Sequence, residues 1–203
     1  MKRALPRVFT RNSGKSDGVL MNVEDRRVKR TQRLLAKALI TLTLEKGYDV
    51  VTIRDITERA DVGYATFFRH YHDKDELLED VLDVVLAEML ELLLPANGAD
   101  PAAMGTLIFR YVGEHSEVCR VLTGSMPLTR KLITLGTQSV RGDTLPQAAS
   151  IVPPEIVAHH IVASSVALIQ WWLEHDMPYP PERMGAIYAA LIVQPTGATA
   201  LSG

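Results

Sequence analysis

Apolar residues recur every three or four positions along most of the chain, and no stretch alternates convincingly with period two. That pattern predicts an all-α protein. Val28, Leu34, Leu35, Ala38, Leu39 and Leu42 mark the inner face of a first helix over residues 25–46, which Gly47 ends. A second helix starts at Thr52, whose hydroxyl can cap it while Asp55 answers from three residues on. Ile53, Ile56 and Ala60 form its inner face. Asp61-Val62-Gly63 is read as a turn in which Gly63 avoids a Cβ penalty, and a third helix follows over residues 64–71. Asp73 caps a fourth helix, with Glu76 completing the box. Its buried stripe is Leu77, Leu78, Val81, Leu82, Val85, Leu86, Met89 and Leu93, and Pro95 to Gly98 stop it. Residues 101–114, 117–122, 128–141, 154–175 and 181–192 are read as further helices between Gly or Pro turns.

Two short helices joined by a three-residue turn form a helix-turn-helix, whose second helix fits a major groove. The chain is therefore expected to divide into a basic arm (1–23), a helix-turn-helix domain (24–72), a larger helical domain (73–194) and a tail (195–203). Charge sharpens the division. The net charge of −2 conceals 15 Lys and Arg against 8 Asp and Glu in residues 1–71, and 7 against 16 in residues 72–203. The first third suits a polyanion and the remainder does not.

Other chemistry recedes on the same residues. A lone Cys119 excludes an intrachain disulfide and a Cys-based zinc cage. The opening residues carry charge without the apolar stretch of a signal peptide. The longest nearly uncharged apolar run, residues 161–173, is too short and too polar to span a bilayer, so no membrane role and a cytoplasmic location are expected. His159 and His160 diverge by about 100° on a helix and cannot chelate one metal. Cys119 and His115 are four apart but lack an orienting third group, so neither an enzyme nor a cofactor is expected.

Thr52-Ile53-Arg54-Asp55-Ile56, Ala60, Val62, Thr66-Phe67-Phe68, Tyr71, Lys74 and Leu77 together resemble the helix-turn-helix of tetracycline-repressor-like (TetR/AcrR) transcriptional regulators. The usual pattern there is T-x-x-x-I-A-x-x-A-G-V-S, then T-[LF]-Y-x-[HY]-F, then K-x-x-L. Asp61 stands at the usual turn glycine, Gly63 at the usual serine and Phe68 at the usual tyrosine. Asp tolerates a left-handed turn better than most residues, and its charge suits the site if it caps the third helix. The resemblance implies a homodimeric one-component regulator, a repressor released from a palindromic operator by a small-molecule effector. It places Tyr64, Ala65 and Thr66 over base edges, with Arg54 reaching a base or phosphate. Thr52, His70 and Lys74 are phosphate-positioning candidates, joined by Arg26, Arg27 and Arg30.

Residues 171–184, WWLEHDMPYPPERM, resemble a C-terminal module of a subset of these regulators. Ile156, His160, Ser164, Leu168 and Trp172 form one column of a helix, and small Ala163, Ser164 and Ala167 admit a close partner. With Met184, Ile187, Ala190 and Leu191 they are read as a two-fold dimer interface. Met104, Phe109, Tyr111, His115, Cys119, Met126, His159 and Trp171 are candidate effector-pocket residues. Two other readings stay open: a helical coactivator or adaptor acting through a protein partner, and an all-α enzyme using Cys119 or a histidine.

Overall fold

The structure is a computed structural model and describes residues 23–93, 100–124, 126–140 and 152–196. The basic arm up to residue 22, the tail from residue 197 and the side chain of Met126 lie outside that description. Among the described residues there are helices and turns and no strand. The helices are α1 (Val23–Lys46), α2 (Ile53–Ala60), α3 (Tyr64–Phe67), α4 (Lys74–Leu93), α5 (Pro101–Glu114), α6 (Ser116–Gly124), α7 (Met126–Val140), α8 (Pro154–Glu174) and α9 (Pro181–Tyr188). A π-helical turn, Ala189–Val193, continues α9, and residues 194–196 remain helical, the last two of them where the sequence suggested a tail.

Two compact units meet between Glu88 and Met89, inside α4. The sequence reading put the division at residue 73, the start of that helix. The first turns of α4 belong to the N-terminal unit because polar bonds tie them there. Lys74 Nζ donates to the carbonyls of Tyr48 and Val51, and Tyr71 Oη donates to Asp80 Oδ2 at 2.6 Å. Tyr48 Oη donates to Asp75. Burial and these carboxylates push both tyrosine hydroxyls to higher pKa.

The turn between α2 and α3 bears out the left-handed conformation expected to be tolerated at Asp61 and overturns the role read into Gly63. Asp61, not Gly63, holds the left-handed conformation, at φ 53° and ψ 45°. Its N–H donates to Glu58 O and that of Val62 to Thr57 O, the paired bonds of a Schellman motif. Gly63 sits at φ −60°, open to any L-residue, and caps α3 without a side chain. Asp61 therefore does not cap α3. Since glycine takes the left-handed conformation freely, Asp61→Gly should stabilise the N-terminal unit by about 0.5–1 kcal/mol. Thermal unfolding checks this: no rise in Tm would mean Asp61 is unstrained.

α3 ends at Phe67, four residues short of the predicted end. Arg69 N and His70 N bond back three residues, to Thr66 O and Phe67 O. This tightened winding turns the chain so that Asp73 can accept from Glu76 N and start α4.

In the C-terminal unit, Phe109, Val112, Cys119, Trp172, Leu173, Met184 and Tyr188 form the core. Trp172 packs edge-on against Phe109 at 5.2 Å, and its Nε1–H donates to Tyr179 O at 2.9 Å. Gly105 of α5 and Gly185 of α9 let the two helix backbones touch.

Candidate nucleic-acid interface

Local bonding fixes α2 before it faces anything. Thr52 Oγ1 accepts from Asp55 N at 3.1 Å, and Thr52 N donates to Asp55 Oδ2 at 2.8 Å, completing the capping box. Lys46 at the end of α1 also donates to Asp55 Oδ2, at 2.9 Å. Lys46 and the two Thr52 donors hold the Asp55 carboxyl well below the usual carboxylate range. Arg59 grips Glu45 with two bonds of 2.9 and 2.7 Å, a second tie between α1 and α2.

What remains outward is a compact face. Arg54, Thr57, Glu58, Asp61, Val62, Gly63 and Tyr64 line a groove of about 630 Å³ across the turn. Tyr64 is 55% exposed and packs edge-on against Phe68, itself 48% exposed, with ring centres 5.3 Å apart. Ala65 is exposed and Thr66 half-buried, while Phe67 is wholly buried and anchors the helix. Arg69 and His70 follow, exposed and half-buried respectively. Arg26, Arg27 and Arg30 are exposed on α1. Arg69, beside His70 on this basic segment, is exposed and carries no role in the sequence reading.

Two phosphate candidates are otherwise engaged. Lys74 Nζ donates to Tyr48 O at 2.9 Å, Val51 O at 3.0 Å and Asp49 O at 3.4 Å, and lies 4.3 Å from the centre of the Tyr48 ring. An ammonium has three donors, and all three are used. Thr52 gives its one hydroxyl proton to Asp55 Oδ2 at 2.7 Å, leaving none to donate to a phosphate.

Among the described residues, the candidate pocket residues of the C-terminal unit divide between the core and the surface. Phe109 and Cys119 are core, and burial pushes the Cys119 thiol up to about 12, which removes it as a nucleophile at neutral pH. Tyr111 is buried, and its ring meets that of His115 edge-on at 4.5 Å. His115 is half-buried with its Nδ1 shielded and without a partner, and Met104 is half-buried against the core. His159 and Trp171 lie on the outside, which corrects their assignment to an interior pocket. Adjacent tryptophans diverge by about 100° on a helix, and the structure buries Trp172 instead. Trp171 stacks on His175 at 4.5 Å.

α8 carries a second apolar surface. Within Glu155–Glu174 an 18-residue window has a mean hydropathy of 1.4, yet only 28% of that window is buried. By length and composition it is the one helix among the described residues able to cross a membrane, which the shorter run counted from sequence understated. Val157, Ala158, Val166, Trp172 and Leu173 turn inward. Ile156, His160 and Ala167 are exposed, with Ala163 and Ser164 half-buried beside them. Leu191 is 66% exposed, whereas Leu168 and Ile187 also pack on the core.

The family model described as "Bacterial regulatory proteins, tetR family" matches residues 35–81, and one described as "Transcriptional regulator C-terminal region" matches residues 100–194. The uncharacterised HTH-type transcriptional regulator YxbF of Bacillus subtilis is 27% identical over 169 residues, covering 78% of this chain and 43% of that protein. An HTH-type transcriptional repressor of Mycobacterium tuberculosis is 32% identical over 95 residues, 46% of this chain and 47% of that protein. The chain thus spans about half the length, or less, of the curated relatives it matches. A solved TetR-family regulator from Syntrophomonas wolfei has the same fold, with a TM-score of 0.68 at 16% identity over 86% of this chain and 99% of that one.

Proposed function

Because this chain belongs to the tetR family of bacterial regulatory proteins, we propose that it is a cytoplasmic homodimeric repressor that leaves a palindromic operator when a small molecule binds its C-terminal unit. The carrying observation is the outward face of α2 and α3. Arg54, Tyr64 and Ala65 are exposed on one groove and its margin, while Phe67 is fully buried beneath. Tyr64, Ala65 and Thr66 meet base edges, and Arg54 pairs with guanine. His70, Arg69 and the α1 arginines meet phosphates, which set position without reading sequence. The coactivator and enzyme readings lose ground to this face and to the relatives' description as transcriptional regulators.

Two half-sites one helical turn apart, about 34–36 Å, call for a two-fold protein. The exposed face of α8, from Ile156 through His160, Ala163 and Ala167, supplies a surface for the second copy, with Leu191 beside it. An effector with a mostly apolar body and a hydrogen-bonding group suits the margin of the C-terminal core near Met104, Tyr111 and His115, where the shielded Nδ1 lacks a partner. It acts only by binding the DNA-released conformation better than the bound one. α4, unbroken from Lys74 to Leu93, is the covalent route between the units.

The test is fluorescence anisotropy with duplex from upstream of the chain's own gene, over a range of salt. Binding should weaken steeply as salt rises. Tyr64→Ala should reduce the preference for that duplex over unrelated DNA about tenfold. Failure of the unaltered protein to bind any duplex at low salt would end the proposal.

A further inference from the structure

We infer that Glu58 reads DNA together with Arg54, the two side chains selecting one G·C pair in each half-site. The inference rests on the assignment of the α2–α3 face to base reading. Arg54 Nε donates to Glu58 Oε1 at 3.0 Å, and the residues stand one turn apart with side chains 81% and 67% exposed. That bond takes one of five guanidinium N–H groups and leaves the four on Nη1 and Nη2 without a described partner. Glu58 Oε2 has none either. The pair therefore presents a double donor next to an acceptor, in an orientation the mutual bond fixes.

Charge makes the carboxylate informative. The groove contains Glu58 and Asp61 against Arg54 alone. A carboxylate turned toward a polyanion is repelled, and an ion pair this exposed contributes little to stability. Neither consideration gives Glu58 a reason to stand on a DNA-facing surface. Base edges do. Guanine O6 and N7 accept from the end of an arginine fork, and the cytosine N4 amino group donates to a carboxylate. Both edges occur side by side in the major groove of a single G·C pair. A·T offers thymine O4 in place of the amino group, which Glu58 would repel. The carboxylate thus acts as a positioning group for Arg54 and as a reader of the opposite base.

The experiment selects duplexes from a randomised pool with the full chain, comparing the unaltered protein with Glu58→Ala and Glu58→Gln. The unaltered protein should enrich one fixed G·C pair per half-site. Glu58→Ala should weaken that preference on the order of tenfold to a hundredfold, leaving other positions and the unfolding temperature unchanged. It should also bind unrelated duplex more tightly, since a negative charge has gone. Glu58→Gln, whose amide oxygen still accepts, should keep part of the preference. Glu58→Ala with every base preference intact overturns the inference. So does a uniform loss across sequences with a lowered unfolding temperature, which marks a structural role. If the unaltered protein enriches no sequence, the base-reading face itself fails, a result distinct from either.

Discussion

Gly185→Ala is expected to destabilise the C-terminal unit by about 3 kcal/mol or more, the reverse of what a glycine-to-alanine change does in an ordinary helix. On propensity alone the change favours a helix by about 1 kcal/mol. Here a Cβ would lie 2.3 Å from Thr106 Oγ1, 2.5 Å from Ala102 O and 2.6 Å from Thr106 N. Two of those atoms are α5 backbone. The third is bonded to Ala102 O at 2.8 Å and would lose that bond by moving aside. From the other side, a Cβ on Gly105 would meet Gly185 Cα at 2.9 Å and Tyr188 Cδ1 at 2.7 Å. Overpacking of flexible side chains costs about 1–3 kcal/mol, and backbone against backbone has less room to give. Both tryptophans lie in this unit, and Trp172 is buried, so urea unfolding followed by tryptophan emission reports on it directly. Gly124→Ala is the control, because a Cβ there meets nothing within 4 Å. A Gly185→Ala midpoint equal to that of the control would show that the helices separate at little cost.

That contact shows where sequence reading stops. Helix periodicity located α1, α2, α4 and α5 to within a few residues, because each has a core stripe and an identifiable cap or stop nearby. The outward face of α2 and α3 was legible for the same reason: Phe67 and Tyr71, four apart, had to be the buried pair. Gly105 and Gly185 are 80 positions apart, and nothing in either neighbourhood signals that they meet. At residues 61–63 the expectation that Asp61 tolerates a left-handed turn holds, whereas the freedom read into Gly63 goes unused, because the Schellman bonds make Asp61 the left-handed residue. Trp171 and Trp172 are alike in type and adjacent, so composition could not say which faces inward. A lysine beside a basic helix invites a phosphate, and the Tyr48–Val51 carbonyls that occupy Lys74 in the structure are too distant in sequence to signal that engagement.

Lys74→Met should therefore lower the stability of the N-terminal unit by about 2–3 kcal/mol and leave the salt dependence of DNA binding unchanged. Methionine keeps the apolar stem but offers no donor, so the carbonyls of Tyr48, Asp49 and Val51 lose their common partner. Hydrogen bonds from a charged donor are worth roughly 1.5–3 kcal/mol, and the partly buried Val51 carbonyl left unmatched adds to the loss, while Tyr48 O keeps its bond from Val51 N at 3.2 Å. In a unit of this size that corresponds to a fall in Tm on the order of 10 °C, measurable by circular dichroism. Lys74→Arg should recover only part of it, because a planar fork does not reproduce an ammonium converging on three carbonyls. Binding is then measured well below the new transition. A lysine on a phosphate contributes about one unit to the slope of affinity against salt, and its removal reduces the slope by that much. A clamp turned toward its own backbone contributes nothing there. Unaltered stability with a slope reduced by about one would return Lys74 to the DNA. A large fall in Tm with an unchanged slope would fix it as the clamp that holds the α1–α2 loop against the start of α4.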